Sequence, residues 1–196
     1  MNEFRIRETA VRMAREEVLA LVAEGRLSWE DLQARLEPGE ISLVQEMPAS
    51  LNWYPITTYD RLLTTLMDVE GGGSSEYLVE RGKKVVESLT AADLEPRIEE
   101  ASSDRESADP WWARVGPAPV TLPSAIYSDS NWLLIPEEDR GRFTLEVTDA
   151  SGLPESLRHS VQGVLESLAT RLIGDLVRVN SGRPSLDRVV FRGSPA

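Results

Sequence analysis

The chain predicts an α+β domain, with a helical first half packed on an antiparallel sheet of about four strands and a long helix followed by a β-hairpin at the end. Three observations predict it. Leu157, Val161, Val164, Leu165, Leu168, Leu172 and Ile173 recur at spacings of three and four, which lines one face of a helix. Phe143, Leu145 and Val147 alternate with Thr144, Glu146 and Thr148, the period of a half-buried strand. Apolar runs in the first hundred residues carry helical spacing and are cut by glycine and proline.

Asn2–Glu24 reads as a helix, with Phe4, Ile6, Val11, Met13, Ala14, Val18, Leu21 and Val22 on a rough apolar face and Gly25 as the stop. Ser28 caps a short helix through Leu36, and Pro38-Gly39 breaks it. Glu40–Met47 forms another short helix, and Pro55 pushes Tyr54 into an extended conformation. Thr57 or Thr58 is expected to cap a helix that buries Tyr59, Leu62, Leu63, Leu66 and Met67 and ends at Gly71-Gly72-Gly73. Ser74 or Ser75 caps the next, to about Leu89; Gly82 within it suggests a close helix–helix approach. Thr90-Ala91-Ala92-Asp93 opens one more short helix, to about Ala101.

Ser102–Pro110 is a polar, acidic linker, and prolines 117, 119 and 123 make the next segment extended or an edge strand. Trp132–Ile135 is a short apolar run before the alternating strand. Pro154 and Gly174 bracket the long helix. Leu176–Asn180 and Leu186–Arg192 then read as strands joined across Ser181–Ser185. The expectation is one domain over 1–196, mainly helical over 1–101, with the sheet and long helix in 111–193.

Composition bounds the function. At 41% hydrophobic and 28% charged residues, the chain is ordinary for a globular protein. It contains no cysteine, which removes disulfides, thiolate metal sites and cysteine nucleophiles together. Its net charge is −12, and residues 1–110 hold 23 acidic against 12 basic side chains, so a phosphate backbone or anionic membrane finds no basic surface overall. No apolar run approaches the roughly 20 residues of a membrane span, and the charged N-terminus does not read as a secretory signal. A cytoplasmic location is the default expectation.

Several short segments carry a resemblance. His159–Leu168, Ile173-Gly174, Val177-Arg178-Val179 and Asp187–Phe191 resemble the closing helix and strands of four-vinyl-reductase-type small-molecule-binding domains. Haem–nitric-oxide-binding sensors and subunits of a transport tethering complex share that topology. Trp53-Tyr54-Pro55-Ile56, Tyr59, Leu62-Leu63, Tyr77 and Arg81-Gly82 are similar to an uncharacterised group of proteins, expanded in myxobacteria and related to those sensors. The resemblance implies a non-catalytic domain that binds a small apolar ligand or another protein, often as a dimer. It departs from the haem sensors at their Tyr-x-Ser-x-Arg clasp: Tyr127-Ser128-Asp129-Ser130 is the nearest string and lacks the arginine. Haem is therefore not carried over, and no cofactor is expected.

Most candidate sites have plain explanations. His159 falls about 200° around the helix from Val161, on the polar side, where pairing with Glu155 in solvent is expected. Gly71–Ser75 lacks phosphate-loop spacing and is flanked by Glu70 and Glu76, so it reads as a connector. Adjacent carboxylates such as Glu16/Glu17 and Glu99/Glu100 point apart rather than converging. No metal site is expected from one histidine without ligand spacing. The aromatics Trp53, Tyr54, Tyr59, Trp111, Trp112 and Trp132, with Gly163 in mid-helix, are the candidates for a ligand pocket or interface. A glycine there costs about 1 kcal/mol against alanine unless a helix, a ligand or a second subunit comes close. The primary expectation is a sensory or protein-interaction module without catalysis, as a homodimer. The alternative is a carrier or sensor for a small apolar molecule held between helices and sheet; a carboxylate-dependent hydrolase or isomerase is more distant.

Overall fold

The computed structural model describes residues 4–47, 53–89, 127–128, 130–137, 139 and 142–196. The expected helix from Thr90, the linker, the proline-rich segment and the pair Trp111-Trp112 lie outside these residues.

The first element is a strand, not a helix. β1 (Arg5–Arg7) precedes α1 (Glu8–Ala23). β1 pairs antiparallel with β2 (Trp53–Pro55), with Ile6 opposite Tyr54 and Arg7 opposite Trp53. Helical periodicity did not register this, because Ile6 is fully buried by strand pairing and not by a helix face.

α2 (Trp29–Arg35) starts where Ser28 accepts a hydrogen bond from the Asp31 amide. α3 (Pro38–Gln45) begins at the proline expected to be a break, which occupies the first turn. α4 (Ile56–Gly71) and α5 (Ser75–Leu89) follow. Neither expected threonine caps α4. Thr58 sits inside its first turn, buried, and its hydroxyl donates to Glu40 at 3.2 Å. Gly72, with φ +57°, closes the helix in the left-handed conformation.

The second half forms a four-stranded antiparallel sheet. β3 (Asn131–Pro136), β4 (Phe143–Thr148), β5 (Val177–Ser185) and β6 (Arg188–Pro195) lie in the order β3-β4-β6-β5. α6 (Glu155–Ile173) runs between β4 and β5 in sequence. The hairpin differs from expectation. β5 continues through Ser181–Ser185, and the chain reverses at Leu186-Asp187. The register slips between Gly182 and Ser185, so those polar residues form an irregular strand end where a turn was expected.

One face of the sheet looks inward. Trp132, Phe143, Leu145, Val147, Val177, Val179, Val189 and Phe191 are buried there. α6 covers part of it, and the Val179 amide donates to Glu166 of α6 at 3.0 Å. Lys83 of α5 meets the same carboxylate at 2.6 Å, so one glutamate ties α5, α6 and β5 together. α1 and α4 complete the helical layer and share one continuous apolar core with the sheet.

Candidate functional site

The aromatic candidates separate into two groups. Trp53 and Tyr54 belong to the β1–β2 ribbon. Tyr54 is buried; Trp53 is half-buried, with the Arg7 guanidinium 4.3 Å from its ring centroid. Tyr59 and Trp132 belong to the region where the helices face the inner side of the sheet.

Trp132 is the centre of that region. Its ring stacks on Tyr127, centroids 5.8 Å apart, and on Phe191 at 6.3 Å. Its indole N–H donates to the Ser130 hydroxyl at 2.7 Å. Phe191 comes from β6 because strand alternation puts it inward in register with Leu145. Tyr127 is held from the other side, where it bridges to Ile6. The next residue reinforces that link: the Ser128 amide donates to the Arg5 carbonyl, and its hydroxyl accepts from the Arg5 amide at 2.9 Å.

Close enough to Tyr127 to act on its phenol lies a buried charge. Arg81 of α5 is only 5% exposed and makes two hydrogen bonds of 2.8 Å to the Glu17 carboxylate on α1. A third, at 3.5 Å, reaches the Tyr59 hydroxyl on α4. Burial opposes the arginine's charge, but Tyr59 and Glu17 more than offset it, and its pKa rises above the ordinary value. Burial also pushes the Tyr127 phenol far up, with Tyr59 adding and Arg81 opposing. At neutral pH Tyr127 therefore stays a neutral phenol and Arg81 a cation.

The sequence made Tyr59 and Trp132 site candidates; Arg81 and Phe191 entered only through the resemblance, and Glu17 only as a carboxylate pointing away from Glu16. One signal was present. Arg81 falls three residues from Leu78 and four from Tyr77 and Val85, on the apolar stripe of α5, where a charge needs a partner.

Gly163 is not beside these aromatics' rings. A Cβ there would lie 1.8 Å from the Val79 carbonyl oxygen, so the close neighbour is α5, at the crossing where Gly82 also sits. His159 departs from expectation too. It is half-buried, and its Nε2 accepts from the Arg158 guanidinium at 3.1 Å, which leaves the proton on Nδ1. Burial first, and Arg158 second, lower its pKa, while Glu155 acts the other way. The helical projection missed this because it takes no account of Arg158 folding back toward Ser181 on β5.

Several other carboxylates pair with arginines, while Asp60 accepts from the Ser156 hydroxyl. Glu40 and Glu37 hold Arg61, Glu155 holds Arg158 and Arg183, and Glu146 holds Arg188. Among the described residues no group of three or more His, Asp or Glu side chains is placed to hold a metal ion. Among them, too, no helix is long and apolar enough to cross a membrane.

Solved structures resemble this chain in fold. A mutant structure of the H-NOX from T. Tengcongensis superposes with a TM-score of 0.60 at 11% identity, over 97% of this chain and 100% of that one. The crystal structure of a mutant Fe(II) unliganded H-NOX protein from K. algicida gives 0.53 at 12% identity, over 95% of each chain. No protein-family model matches the chain, and no curated protein matches it. The fold is thus α+β and H-NOX-like, in agreement with the topology that the sequence resembles.

A haem does not fit the residues present. The chain's one histidine has its Nε2 engaged by Arg158, whose guanidinium also bonds Ser181 on β5, so that nitrogen is not free to take an iron. There is no cysteine to replace it, and the Tyr127 phenol, pushed up by burial, resists becoming an iron ligand. Aligned on Tyr127, the Tyr-x-Ser-x-Arg clasp finds Asp129 where it needs serine and Asn131 where it needs arginine.

Proposed function

We propose that this chain is a non-catalytic sensory or protein-interaction module built on an H-NOX-like fold without haem. One observation carries the reading. Around Trp132, where helices face the sheet, the chain's own groups pack together: Trp132 stacks on Tyr127 and on Phe191, and Tyr127 feels the Arg81–Glu17–Tyr59 network. A side chain as large as tryptophan, stacked on two sides, leaves a flat ligand no place between the same rings. The arginine-paired carboxylates support the absence of catalysis, since a general acid or base needs a proton it can exchange with a substrate. Signalling through such a domain would pass through its surfaces.

Native mass spectrometry of freshly purified protein tests this. The expected result is the mass of the polypeptide alone. A stoichiometric small molecule that leaves on activation in the gas phase would instead support a carrier, with the ligand between helices and sheet. The same spectra count subunits, and a dimer would make a second copy of the chain one of its partners.

A further inference from the structure

The outer face of the sheet runs against the character of the chain. The protein carries a net charge of −12, yet the outward positions of β5 and β6 hold Arg178, Arg188 and Arg192, against Glu146 on β4. Glu146 is fully engaged by Arg188, with contacts of 2.7 and 2.8 Å. Arg178 and Arg192 are exposed, and their side chains have no hydrogen-bond or ion-pair partner among the described residues. Register places them as diagonal neighbours, since Arg192 is opposite Asn180 and Arg178 opposite Ser194. At the β3 edge of the same face, Leu133 is 59% exposed and Ile135 43%. Ile135, Thr144, Arg192 and Asn180 form one row across the sheet, and Leu133, Glu146, Val190 and Gly182 the next. The apolar edge and Arg192 therefore lie about 10 Å apart, two strand spacings, with Arg178 one strand further on the same surface.

We propose that this face docks a short, acidic amphipathic segment of a partner protein, its apolar side chains on Leu133 and Ile135 and its carboxylates on Arg178 and Arg192. The inference rests on the interaction-module reading and names the surface and the partner's chemistry. Size favours a segment over a second copy. Four strands by six residues span about 400 Å², and Val190 at the centre of the face is already buried, so the area open to a partner is at most half of the roughly 800 Å² that a stable association uses. A helix about 10–12 Å across fits that area. Charge favours carboxylates over a phosphate polymer, because two arginines are few and the rest of the chain repels a polyanion. Screening over about 8 Å at physiological salt confines the attraction to this face, so the partner's acidity sets the orientation of docking.

Fluorescence anisotropy with a labelled helical peptide of Leu and Glu in amphipathic pattern, at physiological salt, tests it. Saturable binding is expected, weakened at least tenfold by R178E/R192E and likewise by L133S/I135S. All four side chains are exposed, and circular dichroism melts of both variants should overlay the wild type. Absence of saturable binding, or binding indifferent to either pair, overturns the proposal. So does self-association in sedimentation that R178E/R192E abolishes, or tighter capture by anionic vesicles or RNA through the same arginines. The two readings fail separately. Peptide failure with a ligand-free native mass removes this surface only, whereas a co-purified small molecule removes the module reading whatever the peptide does.

Discussion

Gly82 of α5 and Gly163 of α6 bring their two helices into backbone contact. A Cβ on Gly163 would stand 1.8 Å from the Val79 carbonyl oxygen, and one on Gly82 would stand 2.1 Å from that of Ser160. Both obstacles are backbone atoms in regular helix, which cannot swing aside as a side-chain tip would. The glycines thus explain each other. Each would cost about 1 kcal/mol against alanine in an isolated helix, and the close approach offsets that cost through packing.

Gly163→Ala and Gly82→Ala should each destabilise the fold by about 1–3 kcal/mol, despite alanine's better helix propensity. Urea denaturation followed by circular dichroism reads this. The double variant should cost less than the sum of the two, because a single displacement of the helices relieves both clashes. Unchanged or raised stability in Gly163→Ala would show that the helices do not cross at these residues.

Arg81 and Glu17 give a second prediction. Glu17→Ala strands a cation that is 5% exposed, while the carboxylate it loses was 39% exposed and partly replaceable by water. The expected loss is about 1–3 kcal/mol, below the range for wholly buried pairs. Arg81→Met in the same background should restore part of it, because the unpaired charge is then gone. An additive double variant would mean that the two side chains do not depend on each other.

The His159 ring predicts a pH dependence. Burial and Arg158 set its folded pKa below the unfolded value near 6.5. Between those two values the unfolded chain binds the extra proton, so stability falls as the pH falls. The contribution is complete above about pH 6.5 and is lost as the pH drops through the folded pKa. His159→Gln, whose amide oxygen can still accept from Arg158, should flatten the slope of stability in that window. A wild-type stability that rises on acidification through the window would reverse the assignment.

Haem reconstitution gives the fourth. The apo-protein titrated with haem should develop no stoichiometric Soret band, since neither the region around Trp132 nor its approaches hold a free imidazole or thiolate. A sharp one-to-one band that His159→Ala abolishes would place that histidine on iron and undo the account of its bond to Arg158.

Much of the architecture was legible in the residues. Alternation in Phe143–Thr148 marked β4, Ser28 marked the start of α2, and the glycines at 72 and 174 marked two helix ends. These signals are local: each depends on a hydrogen bond or side-chain period within a few residues. β1 was misread as helix because its partners, Tyr54 and Tyr127, lie far along the chain. The end of β5 was misread as a turn because Gly182 and Pro184 are turn formers that here sit in a bulge.

The same division runs through the candidate site. The sequence alone determined the fold class, the lack of thiols, the single histidine and the presence of large aromatics to be buried. Tertiary structure decided that Trp132 lies between Tyr127 and Phe191, that Arg81 reaches Glu17, and that Gly163 serves a helix crossing. It also decided that Arg178 and Arg192 share an outward face with Leu133 and Ile135. The reason is physical. Periodicity states which side of an element is apolar, but which distant side chain meets it depends on strand order, register and packing over the whole chain.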